Sequence, residues 1–409
     1  MKIRSITLFL NPGWPLELRL IDEAGQTARQ ARSQLTDAGY EVQTIRLATV
    51  PFPILFAGLT FTEKLRAVQE LEKAAISAGF NYTAIGPALI EDPESYAQIP
   101  EIIASTETIF CSAEIATRAD GLSLPAVQAS AEIITKLAPQ DPNGFANLYF
   151  TALANVPPGS PFFPGGYHTQ DPPAFALATE AAGLAVTAFK TATSLQEGLA
   201  GLKTAVENHA ARLTEVSEEI SRKSGTAFKG IDFSLAPFPD PAHSLGAALE
   251  GMGIPKVGLH GSLAAAALLA STLDQAKFYR IGFSGLFFPL LEDAALADRA
   301  AEGVLTVKDL LMYSAVCGTG LDTIPLPGNT TPEQLAPLLL DLGALALRLD
   351  KPLTARIMPV PGKQAGERTS FDFPFFANSR VLPLSSEGLN QHLARLPLIP
   401  IQPRQKPGQ

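Results

Sequence analysis

Ile3-Arg4-Ser5-Ile6-Thr7-Leu8-Phe9-Leu10 is a run of apolar and β-branched residues. After Asp22 a helical pattern extends over Ala24–Ala38, stops at Gly39, and gives way to a second apolar run over Tyr40–Leu47. The first run has the composition of a strand. Asp22 and Gly39 bracket the middle segment as a start and a stop signal bracket a helix. The unit is repeated at once, with a helix over Glu63–Gly79 and a strand over Tyr82–Ile85. Strand, helix, strand in regular alternation predicts an α/β fold with a largely parallel sheet.

Outward from this unit, further strands are expected at Thr108–Ser112, Asn147–Ala152, Ala227–Leu235, Phe278–Phe283, Leu321–Leu326, Thr354–Pro359 and Arg380–Leu384, ten in all. Several are near-continuous apolar runs, which suits strands covered on both faces. The stretch 172–224 is Ala-rich and reads as successive helices forming an outer helical layer. Within it Leu213–Ile220 has one apolar stripe and an acidic face for solvent. Before it, residues 156–168 form a Pro/Gly loop with aromatics, which fits neither a helix nor a central strand and reads as a lid or a rigid crossover. The chain is expected to form one domain over 1–399, with 400–409 as a flexible Pro/Gln-rich tail.

Composition narrows the function classes. Of 409 residues 46% are hydrophobic and 17% charged, ample for a large core and unlike a disordered chain. A net charge of −9 without any Lys/Arg run argues against nucleic acid as a partner. Two cysteines, Cys111 and Cys317, make no disulfide framework, and the absence of Cys-x-x-Cys disfavours a structural zinc site. The most apolar helical stretch, Leu263–Leu273, is too short to cross a bilayer. A cytoplasmic protein without a membrane partner is the expectation, and homodimers are common enough that one is expected here.

Chemistry-bearing residues gather between Gly230 and Lys363. In Gly230-Ile-Asp232-Phe-Ser234 a carboxylate and a hydroxyl share one strand face. Inward, Asp232 needs a partner or a metal; outward, it is merely solvated or caps a turn. His260, Gly261 and Ser262 precede a small-residue helix, an anion-friendly start that an ordinary N-cap by Ser262 explains as well. Glu292 and Asp293 are adjacent acids that suit a divalent metal or, equally, the first turn of the next helix. Cys317-Gly318-Thr319-Gly320-Leu321-Asp322 places a thiol and a carboxylate around two glycines, with neither a dinucleotide fingerprint nor a Walker motif. Arg356 lies within an apolar strand and Lys363 in the turn beyond it, two cations suited to an anionic ligand or, for Lys363 especially, to the surface.

Together Gly230-x-Asp232-x-Ser234-Leu-Ala-Pro237, the Glu292-Asp293 loop, Cys317-x-x-Gly320-Leu-Asp322 with Pro327-Gly328-x-Thr330, and Arg356-Ile-x-Pro359-Val-x-Gly362-Lys363 resemble the uncharacterised bacterial and archaeal family known as domain of unknown function 711, or uncharacterised protein family 0210. The resemblance implies a ten-stranded α/β barrel of the pyruvate formate-lyase type, with a loop threaded through its interior. The loop at Cys317 is the candidate for that thread. It does not imply radical chemistry. Those enzymes keep an Arg-Val-x-Gly-aromatic motif near the C-terminus, whereas here Arg380-Val381-Leu382 leads into Pro383.

The expected function is therefore an enzyme on a small polar or anionic metabolite, in a barrel-interior site without glycyl radical chemistry. Asp232, Cys317 and Asp322 are its candidate catalytic residues, Ser234, His260, Ser262, Arg356 and Lys363 would bind substrate, and Glu292 with Asp293 would hold a divalent metal ion if the chemistry is metal-assisted. The alternative is a small-ligand-binding or regulatory protein with the same pocket and no turnover.

Overall fold

The computed structural model describes residues 1–404, and its strands are β1 (Lys2–Leu10), β2 (Val42–Thr49), β3 (Tyr82–Ala88), β4 (Ile109–Thr117), β5 (Gly121–Ser123), β6 (Phe150–Ala154), β7 (Ala174–Glu180), β8 (Ala227–Asp232), β9 (Gly320–Pro327), β10 (Leu353–Val360) and β11 (Leu398–Ile399). Neighbours follow the order β8-β7-β1-β2-β3-β4-β6-β10-β9. β1, β2, β3, β4 and β6 form one parallel set. β7 is parallel to β8, and β9 to β10. The sets meet at two antiparallel seams, β1 with β7 and β6 with β10.

The two ends of this path are linked by residues 280–289, which make isolated parallel bridges to Ile231 and Leu235 on one side and to Asp322 of β9 on the other. With that segment counted as a wall member, ten members form a ring of two oppositely directed parallel fives. β5 and β11 stand outside it, paired with each other, and β5 also pairs with β4.

Side-chain alternation separates the two faces of the wall. Ile3, Ile6, Leu8 and Leu10 of β1 join the main core with Ile21, Ala28 and Leu35 of the helix Leu18–Asp37. Phe9, Ala48, Ala84 and Ala176, from β1, β2, β3 and β7, form a separate cluster around Phe163. Three of these four inward residues are alanines, which leaves room for chain to pass inside. That chain is the Pro/Gly loop, whose residues 161–168 are all buried. Ser5 Oγ and Thr7 Oγ1 each donate to the Pro161 carbonyl at 3.4 Å, and His168 N donates to Thr49 O at 2.9 Å. The interior thread is thus this loop and not the one at Cys317. Proline removes donors that a buried irregular segment would otherwise have to satisfy.

The expected helix over Glu63–Gly79 is found at Phe61–Ser77, started by a capping box between Thr60 and Glu63. The one expected from Ala24 starts earlier, at Leu18, and ends before Gly39 as anticipated. The largest departure is in 172–224. It does contain helices Ala182–Thr191 and Leu195–Ser224, the latter with Leu213, Ser217 and Ile220 inward and Glu215, Glu218 and Glu219 exposed. It opens, however, with strand β7, Ala174-Phe-Ala-Leu-Ala-Thr-Glu180, buried at every position. Alanine and leucine favour helices, and burial on both faces removes the alternation that marks a strand. Phe278–Phe283 and Arg380–Leu384 form only isolated bridges. In the expected flexible tail, Arg404 N donates to Arg348 O at 3.2 Å, and residues 405–409 lie outside the described residues. Among the described residues no helix is long and apolar enough to cross a membrane.

Candidate functional site

One rim of the ring carries a cavity of about 650 Å³. Strands of opposite direction supply it: Lys2 and Arg4 of β1, Gln43, Thr44 and Arg46 of β2, Tyr82 at the start of β3, Thr179 and Glu180 at the end of β7, and Asp232 at the end of β8. The loops beyond these ends add an aromatic wall that includes Phe145, Tyr149, Phe162, Phe163, Phe238, Phe287 and Phe373.

Two bulges aim the charged groups. Alternation through Ile6, Leu8 and Leu10 would turn Arg4 outward with them. In the β1–β7 pairing, Ile3 faces Thr179 and Ser5 faces Ala178, so Arg4 is an extra residue. Arg4 and Ser5 consequently both reach the interior. In the β9–β10 pairing Arg356 faces Asp322 and Ile357 faces Ile324, which leaves Thr323 as the extra residue. Thr323 has a φ of +48°, an uncommon conformation for a β-branched side chain. Its hydroxyl accepts from Leu291 N at 3.3 Å, next to Glu292.

The groups so aimed form a buried chain. Arg4 binds one oxygen of Glu292. Arg356 Nη2 donates to the other oxygen at 2.6 Å, and Arg356 Nε donates to Asp322 Oδ1 at 2.6 Å. Burial alone would raise the Glu292 carboxyl, but Arg4 and Arg356 more than offset that and hold it below the usual range. Burial raises Asp322 against the opposing pull of Arg356. Lys2 pairs with Glu41 at 3.1 Å on the outer rim.

Two charged groups stand outside these pairs. Arg46 donates Nε to Thr44 Oγ1 at 2.8 Å and lies 5.1 Å from the centre of the Phe163 ring, and it takes part in no ion pair among the described residues. It is partly accessible, and it lines the cavity. Burial first, then repulsion from Arg4, push its guanidinium down to about 9, still cationic at neutral pH. Glu180, only 5% exposed, accepts from Gln43 Nε2 at 2.8 Å through Oε2, while its Oε1 is buried without a hydrogen-bond partner.

Of the residues expected from sequence, Asp232, Ser234, Glu292 and Arg356 line this cavity, and Asp322 joins them through Arg356. Asp232 is engaged by the hydroxyl of Ser234 and by the backbone N–H groups of Phe283 (3.0 Å) and Ser284 (2.9 Å). Its carboxyl is raised by burial against those hydrogen bonds. Gly282, with a φ of +63°, makes this closure possible, because a Cβ there would sit 2.3 Å from Asp232 Oδ2.

The others lie elsewhere. Cys317 opens onto a second cavity of about 430 Å³ with Lys351 and Asp274. His260 is exposed, and the Ser262 hydroxyl closes its own turn, donating to Leu259 O at 2.7 Å and accepting from Gly258 N at 3.2 Å. Lys363 is partly exposed in the turn after β10, where its carbonyl accepts from Gly328 N, and it does not line the cavity.

Glu292 and Asp293 do not fit a metal ion. Both Glu292 oxygens hold guanidinium groups. Asp293 accepts from Ser244 Oγ, Gly246 N, Ala295 N and Leu296 N, and so caps the helix Ala294–Ala301. Among the described residues no group of three or more His, Cys, Asp or Glu is placed to hold a metal. Arg4, Arg46 and Glu180 were not anticipated. For Arg46 the signal was available, since it stands in an apolar strand as Arg356 does.

The model of the family described as Uncharacterised ACR (DUF711) matches residues 1–378. A UPF0210 protein of Pyrobaculum arsenaticum is 30% identical over 396 residues, covering 90% of this chain and 87% of its own. One from Oenococcus oeni is 27% identical over 369 residues, covering 86% and 82%. Among solved structures, the anaerobic ribonucleotide reductase of Thermotoga maritima aligns with a TM-score of 0.44 at 9% identity, over 87% of this chain and 79% of that one. Matched along nearly its whole length, with relatives that share close to a third of its residues, the chain belongs to the DUF711 (UPF0210) family, whose function is uncharacterised.

Proposed function

We propose that the rim cavity binds a small organic anion with an apolar body, and that the protein acts on it as an enzyme without glycyl radical chemistry. The observation that carries this is Arg46, a partly accessible guanidinium that lines the cavity without a carboxylate partner, beside an aromatic wall. Removing a cation from water costs several kcal/mol unless an anion compensates. Arg4 and Arg356 have that compensation from Glu292 and Asp322. A ligand carboxylate or phosphate would supply it for Arg46, and guanidinium suits either.

In this reading Asp232 is the proton-transferring group. It lines the cavity, its carboxyl is raised by burial, and the Ser234 hydroxyl is bound to it. Radical chemistry is disfavoured by two placements. Pro383 follows Val381 and Leu382 where a glycine would be required, and the Cys317 thiol belongs to the other cavity.

The test is thermal unfolding of wild type and Arg46→Met against aromatic and aliphatic carboxylates and phosphate monoesters, followed by mass spectrometry of wild type incubated with each compound that binds. Binding that disappears in Arg46→Met is expected. No shift with any anion, or an equal shift in the variant, refutes the anion site. A second reading, binding without turnover, is favoured by the commitment of Glu292 and Asp322 to guanidinium pairs. Ligand recovered unchanged by mass spectrometry would select it.

A further inference from the structure

We infer that the rim cavity selects a zwitterion, a ligand that carries an ammonium group for Glu180 and a carboxylate for Arg46 at opposite ends of an apolar body. The inference rests on the anion reading of Arg46 and extends it to the ligand's other end. It comes from the charge balance of the lining. Lys2 pairs with Glu41, and Arg4 and Arg356 pair with Glu292 and Asp322. These cations and acids cancel. Arg46 is left without a carboxylate, and of the two remaining acids Asp232 is satisfied by the Ser234 hydroxyl and the Phe283 and Ser284 N–H groups, whereas Glu180 has a donor on Oε2 alone. A simple anion would answer Arg46 and leave Glu180 Oε1 buried without a donor, which costs more for a charged oxygen than for a neutral one. A simple amine would do the reverse. A zwitterion answers both.

Topology sets the spacing. Glu180 ends β7, Arg46 is on β2, and β1 lies between them. Two interstrand steps account for about 10 Å across the strands, and the register adds four residues along them, because Arg46 lies level with Thr7 and Ala176 while Glu180 lies level with Lys2. Gln43, three residues before Arg46 on β2, reaches Glu180 across β1 and fixes its Oε2. The two ligand charges are therefore set apart along the ligand rather than on one carbon. Phe162 and Phe163 of the threaded loop line the same cavity, and Phe163 lies against Arg46, so an apolar body is matched as well.

The experiment measures binding of 4-(aminomethyl)benzoate, 4-methylbenzoate and benzylamine by calorimetry to wild type, Glu180→Gln and Arg46→Gln. The expected result is that wild type binds the zwitterion at least about tenfold more tightly than 4-methylbenzoate, the value of one charge-assisted hydrogen bond. Glu180→Gln should erase that preference and leave 4-methylbenzoate affinity unchanged. Arg46→Gln should weaken both. Equal affinities for the zwitterion and 4-methylbenzoate in wild type, or a preference that survives in Glu180→Gln, overturn the inference while the anion site stands. Binding of benzylamine alone, or of none of the three, overturns both.

Discussion

The rim cavity and the Cys317 cavity belong to the same ring, and they differ in what their polar groups are bound to. Around Cys317 the partners are backbone groups. The Lys351 ammonium donates to Ser314 O at 2.9 Å and Cys317 O at 2.5 Å, and the thiol accepts from Gly320 N at 3.3 Å. Burial raises the thiol, and the nearby Lys351 does not offset it. That pattern describes groups that hold a turn together. At the rim, charged side chains pair with one another, Arg46 has no carboxylate, and Glu180 Oε1 has no donor. Density of reactive residue types along the sequence is therefore a weaker pointer to a site than incompletely satisfied groups that share a cavity.

This contrast can be broken at either cavity. The largest effect is expected from Arg356→Ala. It would leave Asp322 unpaired and Glu292 with a single guanidinium, and urea unfolding should show a loss of about 3–5 kcal/mol. A loss below about 1 kcal/mol would mean that the chain of charges does not hold the rim together. Next, Lys351→Met should cost about 1–3 kcal/mol by freeing two carbonyls, with ligand-induced stabilisation at the rim unchanged. A change in that stabilisation would join the two cavities into one site.

Arg46→Met should behave in the opposite sense. Its stability should stay within about 1 kcal/mol of wild type or rise, because a partly buried cation without a carboxylate is removed, while the response to organic anions is lost. The pH dependence has a definite sign. A cation whose folded value is lowered to about 9 opposes folding below that pH, and the penalty is relieved as pH rises through 9 towards the ordinary guanidinium value. Anion binding should weaken over the same rise. Binding that holds unchanged to pH 11 would show Arg46 to be fully solvated. The smallest effect is chemical: both buried thiols, Cys111 and Cys317, should resist iodoacetamide at pH 8 in the native protein and react once urea unfolds it. Labelling of native Cys317 would overturn its assignment as a turn residue.

Much of the wall was legible in sequence because its signals are local. Strands β1, β2, β9 and β10 and the capped helices follow from residue type and spacing within a few positions. β7 was not legible: Ala174–Ala178 alternates helix formers with a single phenylalanine and is buried on both faces, so no periodicity marks it, and Glu180 was lost with it. Arg356 was recognised as a cation in an apolar strand. The same argument did not extend to Arg4, because simple alternation turns that side chain outward and only the bulge between Ile3 and Ser5 brings it in. For Glu292 and Asp293, sequence allowed metal ligation or helix capping. Asp293 is a cap, and Glu292 lies between two arginines, one of them 288 residues away in the chain.

By itself, then, the sequence determined the α/β alternation, most of the strands, the helix starts and stops, and the concentration of polar loops after Gly230, since each depends on hydrogen-bonding and burial preferences acting over a few residues. Only the tertiary structure decided which charges meet, which are left over, and that the Pro/Gly loop, not the cysteine loop, fills the ring. Those outcomes depend on strand order, register and two bulges. Each is settled by contacts between residues far apart in the chain, for which the local pattern carries no record.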